Sequence, residues 1–177
     1  MSTFHDLLVK RHSIRKYTSQ EVSPDDVKLI MEAALMAPSS KRTTPWQFLL
    51  IEDKAKLEIL SHCKDFGASP IANCSLAIIV MVNPAISEAW IEDAAIAATL
   101  IQLQAEDLGL GSCWIQVHGR FTKEGQPAEE FIEENLNVPN ELSVLCVITL
   151  GHKDEERKPF NPEKLQWEKV HIGEWKE

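Results

Sequence analysis

The sequence predicts a layered fold in which a central sheet carries helices on both of its faces. Two segments, Leu76–Val82 (LAIIVMV) and residues 142–150 (LSVLCVITL), are apolar at almost every position. Such runs are typical of strands that are covered on both sides. Apolar residues recur at helical spacing in several other segments, and helices and strands alternate irregularly. We therefore expect a three-layer α/β/α arrangement with Leu76–Val82 as a central strand.

The composition is that of a globular protein with an acidic surface. Of the 177 residues, 44% are hydrophobic, and 18 basic side chains stand against 27 acidic ones, for a net charge of −9. A nucleic acid or an anionic membrane requires a surface that neutralises many phosphates, so neither is an expected partner. A small-molecule partner is favoured. The first residues lack signal-peptide features and the apolar runs are too short to span a membrane, so we expect a soluble, cytoplasmic protein.

The domain organisation is simple. No repeat, low-complexity tract or flexible linker interrupts the chain, which favours a single domain over residues 1–151. Residues 152–177 are polar but carry isolated bulky apolar side chains, and such anchors need a surface to cover them. We expect this C-terminal extension to lie in a groove, on a partner subunit. The anchors are Phe160, Leu165, Trp167, Val170 and Trp175.

Two helix start signals stand in the first quarter of the chain. Thr3 can cap a short helix that ends near Lys10, with Phe4, Leu7 and Leu8 on one face. Ser23, followed by a proline and two acids, marks a second helix. That helix must end near Ala37 because the next residue is a proline. Its expected buried residues are Val27, Ile30, Met31, Ala34 and Leu35.

The middle of the chain predicts a strand over residues 46–52, a helix capped by Asp53, and a long helix over residues 86–108. The long helix would extend roughly 33 Å. Residues 94–101 within it are small or apolar nearly all round, whereas a helix on the outside of a monomer needs a polar face. We therefore expect one side to pack on the sheet and the other on a second subunit.

The last elements follow Gly109, which is expected to end the long helix. Residues 112–117 predict a strand and residues 127–135 a glutamate-rich amphipathic helix, before the apolar strand over residues 142–150. The four cysteines show no CxxC pair or metal-ligand spacing, so we expect reduced core residues. They are Cys63, Cys74, Cys113 and Cys146.

A cluster of basic side chains at residues 10–16 is the first candidate site. Arg11 and Arg15 each offer a planar fork that matches phosphate oxygens, and Ser13 between them supplies a hydroxyl donor. This local cluster, rather than the net charge of the chain, sets the potential at its own surface, because salt screens charges beyond about 8 Å. An anion site and a solvated basic turn are both compatible with this segment.

Three further segments carry weaker signals. Residues 37–46 (APSSKRTTPW) form a polar loop between two prolines, residues 108–114 (LGLGSCW) place glycines at the start of a strand, and residues 151–159 (GHKDEERKP) form a second basic spot. Each also has a plain structural explanation. In the same order, the segments could be an ordinary helix-to-strand connection, a helix C-cap, and an exposed segment that follows the last strand.

Taken together, these segments resemble the FMN-dependent nitroreductase family. RHSIRKY, APSSKRTTPWQF, LGLGSCW and GHKDEERKP occur in the order and spacing of that family and cover roughly residues 8–160. The resemblance implies α+β subunits with a mostly antiparallel sheet and a long central helix at the interface of a homodimer. It also implies two FMN molecules, each in a cleft built from both chains.

The resemblance further implies roles for individual residues. The first motif would hold the FMN phosphate, ribityl chain and pyrimidine edge, the second would contact the ring system from the other subunit, and the third would lie near flavin N5 and O4. The residues so assigned are Arg11, His12, Ser13 and Arg15; Pro38, Ser39 and Ser40; and Ser112 and Cys113. Arg157 or Lys158 would complete the phosphate site.

One departure from the family lies in the second motif. Many members have Asn and Gln where Arg42 and Thr44 stand. The usual amide contact with the pyrimidine edge is therefore in doubt. Arg42 could instead place a positive charge near flavin N1 and O2, or face solvent and a substrate carboxylate.

The reaction implied by the resemblance is electron transfer by a ping-pong mechanism. NADH or NADPH would reduce the flavin, and a nitroaromatic, quinone or similar small acceptor would then oxidise it, with the chemistry belonging to the cofactor. No hydrolytic triad or metal motif is present in the sequence, and no catalytic side chain is assigned. The alternatives are an FMN enzyme of another reaction, such as reductive dehalogenation or flavin fragmentation, and a flavin-binding protein without turnover.

Overall fold

The computed structural model describes residues 3–175, and its centre is a four-stranded sheet. The strands occur in the order β1-β2-β4-β3, and every neighbouring pair is antiparallel. β2 and β4 are therefore the inner strands, as the two apolar runs predict. The strands are β1 (Trp46–Ile51), β2 (Leu76–Val82), β3 (Gly111–Gln116) and β4 (Ser143–Gly151).

Within residues 3–175 there are six α-helices, five of which cover the two faces of this sheet. α3, α4 and α6 share an apolar cluster with one face, while α2 and α5 share a second cluster with the other face. α1 packs on α5. The helices are α1 (Phe4–Lys10), α2 (Pro24–Leu35), α3 (Lys54–Leu60), α4 (Pro70–Asn73), α5 (Trp90–Asp107) and α6 (Ala128–Leu136).

β2 illustrates why its sequence is apolar throughout. Ile79 and Met81 point into the cluster with α3, α4 and α6, whereas Ile78 and Val80 point into the cluster with α2 and α5. All seven residues of the strand are buried. An antiparallel strand reads as a continuous apolar run here because both faces of the sheet carry helices.

The helix start signals are confirmed. Thr3, Ser23 and Asp53 each accept, through a side-chain oxygen, the backbone N–H of the third residue that follows. Each such cap stabilises its helix by about 1 kcal/mol. Thr3 also forms a capping box with Asp6, because the Asp6 carboxylate accepts the Thr3 N–H in return.

Three details of the sequence prediction are wrong. α5 begins at Trp90 rather than at residue 86, because residues before it form a turn, and its 18 residues extend only about 27 Å. Leu35, the last residue of α2, is exposed rather than buried, because it lines an open groove between α2 and β1. The four-residue helix α4 was not predicted, because one turn carries no periodicity.

The cysteine prediction is confirmed. Cys63, Cys74, Cys113 and Cys146 are all buried and free. Burial raises the pKa of Cys63 and of Cys74 to about 11. These thiols therefore behave as small apolar core groups at neutral pH. Within residues 3–175, no helix has the length and apolar character that crossing a membrane requires.

Candidate active site

The RHSIRKY motif, residues 11–17, is called the basic segment and lies across one end of the sheet. The Ile14 N–H donates to the Ser112 carbonyl at 2.9 Å, and the Thr18 N–H donates to the His152 carbonyl at 2.9 Å. Ser112 belongs to the LGLGSCW motif and His152 to the GHKDEERKP motif. The structure thus brings three of the four sequence motifs together at the start of β3 and the end of β4.

Two glycines allow this close approach. A Cβ atom at Gly111 would lie 2.7 Å from Ile14 Cγ2, and one at Gly151 would lie 2.9 Å from Tyr17 Cδ1. Both distances are shorter than any ordinary carbon contact. The glycines of these motifs therefore make room for the basic segment, whereas Gly109, with a φ of +77°, ends α5.

Tyr17 anchors the basic segment to the core. Its hydroxyl donates to the Ile14 carbonyl and lies 2.7 Å from Thr149 Oγ1, inside the core. Burial raises the pKa of Tyr17 far above its ordinary value. The side chain is therefore neutral at all working pH values and holds the segment in place rather than exchanging protons.

Glu155, also in the GHKDEERKP motif, adds a second link to the basic segment. Its Oε1 accepts the backbone N–H groups of Arg15 and Lys16, and its Oε2 lies 2.7 Å from a guanidinium nitrogen of Arg157. The hydrogen bond from the Arg15 backbone holds the pKa of Glu155 below its usual value, and the positive charge of Arg157 adds to this effect. One ionised carboxylate thus fixes Arg157 beside the segment that carries Arg15.

The chain after Glu155 continues along the end of α1. The Phe160 N–H donates to the Val9 carbonyl at 2.9 Å. Arg157 and Lys158 both lie on this stretch and both are exposed. Only Arg157 of the two forms an ion pair among the described residues.

His12 carries an unpartnered buried atom. Its Nε2 has no hydrogen-bond partner, although it is shielded from solvent. A buried polar atom without a partner destabilises a fold by about 1–3 kcal/mol. Arg11 and Ser13, on either side of it, are half-buried. The arrangement fits a polar ligand whose atoms would satisfy His12.

The APSSKRTTPW loop is built around a different anchor. The Ser40 N–H donates to Asp93 Oδ1 at 2.7 Å, and the Ser87 hydroxyl donates to Asp93 Oδ2 at 2.7 Å. Asp93 is only 2% exposed and sits in the first turn of α5, where the helix dipole favours a carboxylate. Within the loop, Ser39 Oγ accepts the Thr44 N–H at 2.9 Å.

This loop holds an unusual backbone. Lys41, Arg42 and Thr44 have φ values of 53°, 57° and 44°, in the left-handed region. Residues other than glycine and asparagine rarely adopt this region, and each such residue costs about 1–3 kcal/mol. Local strain of this kind concentrates at functional sites. The side chain of Arg42 is exposed.

The two halves of the candidate site do not meet within one chain. Asp93 fixes the loop at the amino end of α5, while Lys153 Nζ, 2.8 Å from a carboxylate oxygen of Glu106, ties the end of β4 to the carboxyl end of the same helix. Thirteen residues separate Asp93 from Glu106, which corresponds to about 20 Å along the helix. Pro38, Ser39 and Ser40 therefore lie far from the basic segment of their own chain.

Ser112 and Cys113 lie between the basic segment and the core. Both side chains are buried. Burial raises the pKa of the Cys113 thiol, and the positive charge of Arg15, the Ser13 hydroxyl and the charge of Lys64 oppose that rise. The thiol is thus protonated at neutral pH, with two cations in its neighbourhood.

A cavity of about 720 Å³ lies next to this region, between α1, the end of α5 and the chain after β4. Its lining includes Arg157, but none of the other predicted site residues. Four carboxylates outnumber the three cations of this lining, Lys10, Lys153 and Arg157, so its net charge would repel a phosphate dianion. We therefore do not place the phosphate site in this cavity. The carboxylates are Glu106, Asp154, Glu155 and Glu156.

Three residues that organise the site were not predicted from the sequence. Asp93 looks like an ordinary acid of a first helical turn, and Glu155 stands in a run of mixed charges. Tyr17 is the single tyrosine of the chain and directly follows the basic cluster. An acid directly before the Ala-rich stretch of a helix and a lone tyrosine after a run of cations are the signals that could have identified Asp93 and Tyr17.

Comparison with known proteins gives consistent matches over nearly the whole chain. A model described as the nitroreductase family matches residues 8–152. A relative from Archaeoglobus fulgidus with the provisional name NADH dehydrogenase/NAD(P)H nitroreductase is 31% identical over 173 residues, which are 92% of this chain and 96% of that protein.

Solved structures agree with this result. The FMN-dependent nitroreductase from Clostridium difficile R20291 is 45% identical, covers 97% of this chain and 99% of its own, and has a TM-score of 0.94. A nitroreductase family protein from Clostridium novyi NT is 28% identical over 87% of both chains, with a TM-score of 0.75. The α+β fold expected from the sequence is confirmed, and the chain belongs to the nitroreductase family.

Proposed function

We propose that this protein is an FMN-dependent oxidoreductase that passes electrons from NADH or NADPH to a small acceptor. The observation that carries this proposal is in the basic segment: Glu155 ties the Arg157 guanidinium to the backbone of Arg15, and His12, three residues before Arg15, has a buried Nε2 without a hydrogen-bond partner. Membership of the nitroreductase family supports the cofactor and the reaction class. The acceptor class, a nitroaromatic or a quinone, and the ping-pong order are part of the proposal.

The residues of the basic segment fit a phosphate ester of a flavin. Arg11, Arg15 and Arg157 would hold the phosphate, since a guanidinium fork matches phosphate oxygens, and each charged hydrogen bond contributes about 1.5–3 kcal/mol. The His12 Nε2 and the Ser13 hydroxyl would bind the ribityl chain and the pyrimidine edge. We assign the last phosphate contact to Arg157 rather than Lys158, because Glu155 orients Arg157 toward the segment.

The second half of the site is proposed to come from a partner subunit. The loop with Pro38, Ser39, Ser40 and the exposed Arg42 is bonded to Asp93 at one end of α5, and the end of β4 is bonded to Glu106, about 20 Å along the helix. We infer that one chain does not bring both halves to a single ring system. A homodimer can. In that arrangement Arg42 of the partner subunit would bring its charge to the pyrimidine edge or to a substrate carboxylate.

The apolar surface of the chain supports the homodimer. Phe4 and Leu8 on α1, Met36 after α2, and Ile91 and Ile96 on α5 are large apolar side chains that a monomer would leave in water. Surfaces of this kind mark interaction sites. They border α5, whose other side packs on the sheet.

The C-terminal extension, residues 152–177, supports the same arrangement. Trp167 and Trp175 are 70% and 78% exposed in the single chain, and Phe160, Leu165 and Val170 are exposed as well. We propose that these side chains are buried on the partner subunit. Residues 1–151 would then form the FMN-binding domain.

The chain's own part in the reaction is positioning. When bound, FMN supplies the hydride and electron chemistry. The backbone near Ser112 and Cys113 would face the reacting edge of the ring, and the buried thiol of Cys113 is neutral at pH 7. Burial likewise keeps Tyr17 protonated. No side chain is assigned as a proton donor.

The test is the visible spectrum of the purified protein, followed by identification of the released chromophore. We expect bound FMN that NADH or NADPH bleaches anaerobically and that a nitroaromatic or a quinone reoxidises. A colourless protein with no affinity for added FMN would refute the proposal. Failure of both nicotinamides to bleach the flavin would favour a binding protein, and product analysis would identify a dehalogenation or a flavin fragmentation.

A further inference from the structure

Two loops that the proposed function leaves without a role are joined to each other. The Asp65 N–H, in the loop after α3, donates to the Phe121 carbonyl, in the loop after β3, at 2.9 Å. Each loop places one cation and one exposed aromatic ring beside this bond. Lys64 and Phe66 stand on one side, and Arg120 and Phe121 stand on the other. Phe66 is 90% exposed and Phe121 57% exposed.

The two cations lack acidic partners. Neither Lys64 nor Arg120 forms an ion pair within residues 3–175, although six ion pairs occur there. Partial burial lowers the pKa of Lys64, and the nearby charge of Arg120 lowers it further. The backbone of Arg120 is fixed, because its N–H donates to the Val117 carbonyl and its carbonyl accepts the Ala128 N–H. An anion between the two cations would relieve their repulsion.

A cavity of about 480 Å³ adjoins this cluster. Its lining includes Lys64, Phe66 and Lys123 and the carboxylates of Asp65 and Glu124, whereas Arg120 and Phe121 lie outside the lining, on the loop that the Asp65 N–H holds. Sites for small molecules commonly have volumes of roughly 300–1,000 Å³. An aromatic ring of ordinary size fits here.

The cluster lies on the same side of the sheet as Cys113. Cys63, the residue before Lys64, shares one buried apolar cluster with Cys113, and the charge of Lys64 opposes the rise in the pKa of the Cys113 thiol. Cys113 is where the proposed function places the reacting edge of the ring, so this step rests on that function. A small molecule held by Lys64 would then lie on the Cys113 side of the sheet, within reach of that edge.

We propose that Lys64 and Arg120, with the rings of Phe66 and Phe121, form a subsite for a planar aromatic acceptor that bears an anionic group, such as an aromatic carboxylate. The cations bind the anionic group, and the exposed rings contact the aromatic plane. An anionic group could also come from the phosphate of NADPH, and the experiment separates the two sources.

The experiment compares 4-nitrobenzoate with its neutral isostere 4-nitrobenzamide as acceptors of the FMN-loaded enzyme. We expect Lys64→Gln to lower kcat/KM for 4-nitrobenzoate about threefold, and Lys64→Gln with Arg120→Gln about tenfold, because an exposed charge pair contributes modestly. Turnover of 4-nitrobenzamide is expected to stay unchanged. Phe66→Leu with Phe121→Leu should weaken both acceptors alike. Lys56→Gln, an exposed lysine on α3, is the control and should change neither.

Equilibrium binding supplies a second readout. Benzoate added to the oxidised enzyme should perturb the flavin spectrum, with a Kd that rises about tenfold in the double cation variant. Three results in the cation variants would overturn the inference. They are an equal loss of kcat/KM for both nitro compounds, no loss for either, and a loss that occurs with NADPH but not with NADH. If the enzyme holds FMN and reduces 4-nitrobenzamide, such a result refutes this subsite alone, whereas a protein without FMN refutes the proposed function as well.

Discussion

Substitution of Gly111 by alanine tests how the basic segment is held on the sheet. The new Cβ would lie 2.7 Å from Ile14 Cγ2 and 2.9 Å from Ile14 Cβ. Carbon atoms prefer a separation of about 3.5–4.0 Å, so Ile14 must retreat by about 1 Å. Overpacking of this kind destabilises a protein by about 1–3 kcal/mol.

The same displacement should weaken the cofactor site. Ser13 and Arg15 are the chain neighbours of Ile14, so they move with it, and the hydrogen bond from the Ile14 N–H to the Ser112 carbonyl is strained or lost. Loss of one charged hydrogen bond to the phosphate corresponds to about 1.5–3 kcal/mol, or about 10- to 100-fold in the Kd of FMN. Denaturant unfolding of the apoprotein measures the first effect, and quenching of FMN fluorescence on binding measures the second.

Gly109→Ala is the matched control. Gly109 has a φ of +77°, and a Cβ there would meet no atom within 4 Å. The variant should lose about 1–2 kcal/mol of stability through backbone strain, yet bind FMN like the parent protein. A Gly111→Ala variant that is destabilised but binds FMN normally would refute the view that contact with Gly111 positions the phosphate-binding residues.

Three further predictions follow from the same structure. Arg15→Ala should weaken FMN binding by about 1.5–3 kcal/mol while the dimer stays folded. Lys28→Ala on α2 is the control. An unchanged Kd for FMN in the Arg15→Ala variant would contradict the assigned phosphate site. Asp93→Ala removes the acceptor of two hydrogen bonds, a buried one from the Ser87 hydroxyl and a partly buried one from the Ser40 N–H. The free energy of unfolding should fall by about 1.5–3 kcal/mol for the buried bond and by less for the other, whereas the exposed neighbour Glu92→Ala should change it by less than about 0.5 kcal/mol. Equal effects of the two substitutions would show that the loop is not held by Asp93. The folded-state pKa of Cys74, about 11, lies above its ordinary value, so the unfolded chain releases the proton first and stability should fall as the pH rises from 9 to 11. Unfolding curves of Cys74→Ala should show a shallower decline over that range, and an identical slope would argue against a buried neutral thiol.

Much of the fold could be predicted from the sequence, because strong local signals agree with the tertiary structure. Thr3, Ser23 and Asp53 act as helix caps where their side chains predict them. The continuous apolar run of β2 indicates two covered faces. The start of α5 was placed too early, because residues 86–89 (ISEA) are compatible with a helix and give no sign of the hydrogen bond from the Ser87 hydroxyl to Asp93.

The candidate site was predictable only in part. The basic segment and the glycine motifs are visible as patterns, and the structure places three of the motifs together. The sequence could not show that the glycines accommodate Ile14 and Tyr17, since this depends on contacts between distant segments. It also could not show the separation of the two halves along α5, which is a property of the folded chain.

The central claim is that each FMN site combines the basic segment of one chain with the serine loop of another. Its most direct test is a heterodimer, isolated by two affinity tags after coexpression, of an Arg15→Ala chain and a chain with Ser39→Ala and Ser40→Ala. Each variant alone should lose its flavin. The mixed dimer contains one intact site if the halves come from different chains, so it should retain about one FMN per dimer. A mixed dimer that is as free of flavin as its two parents would contradict the account.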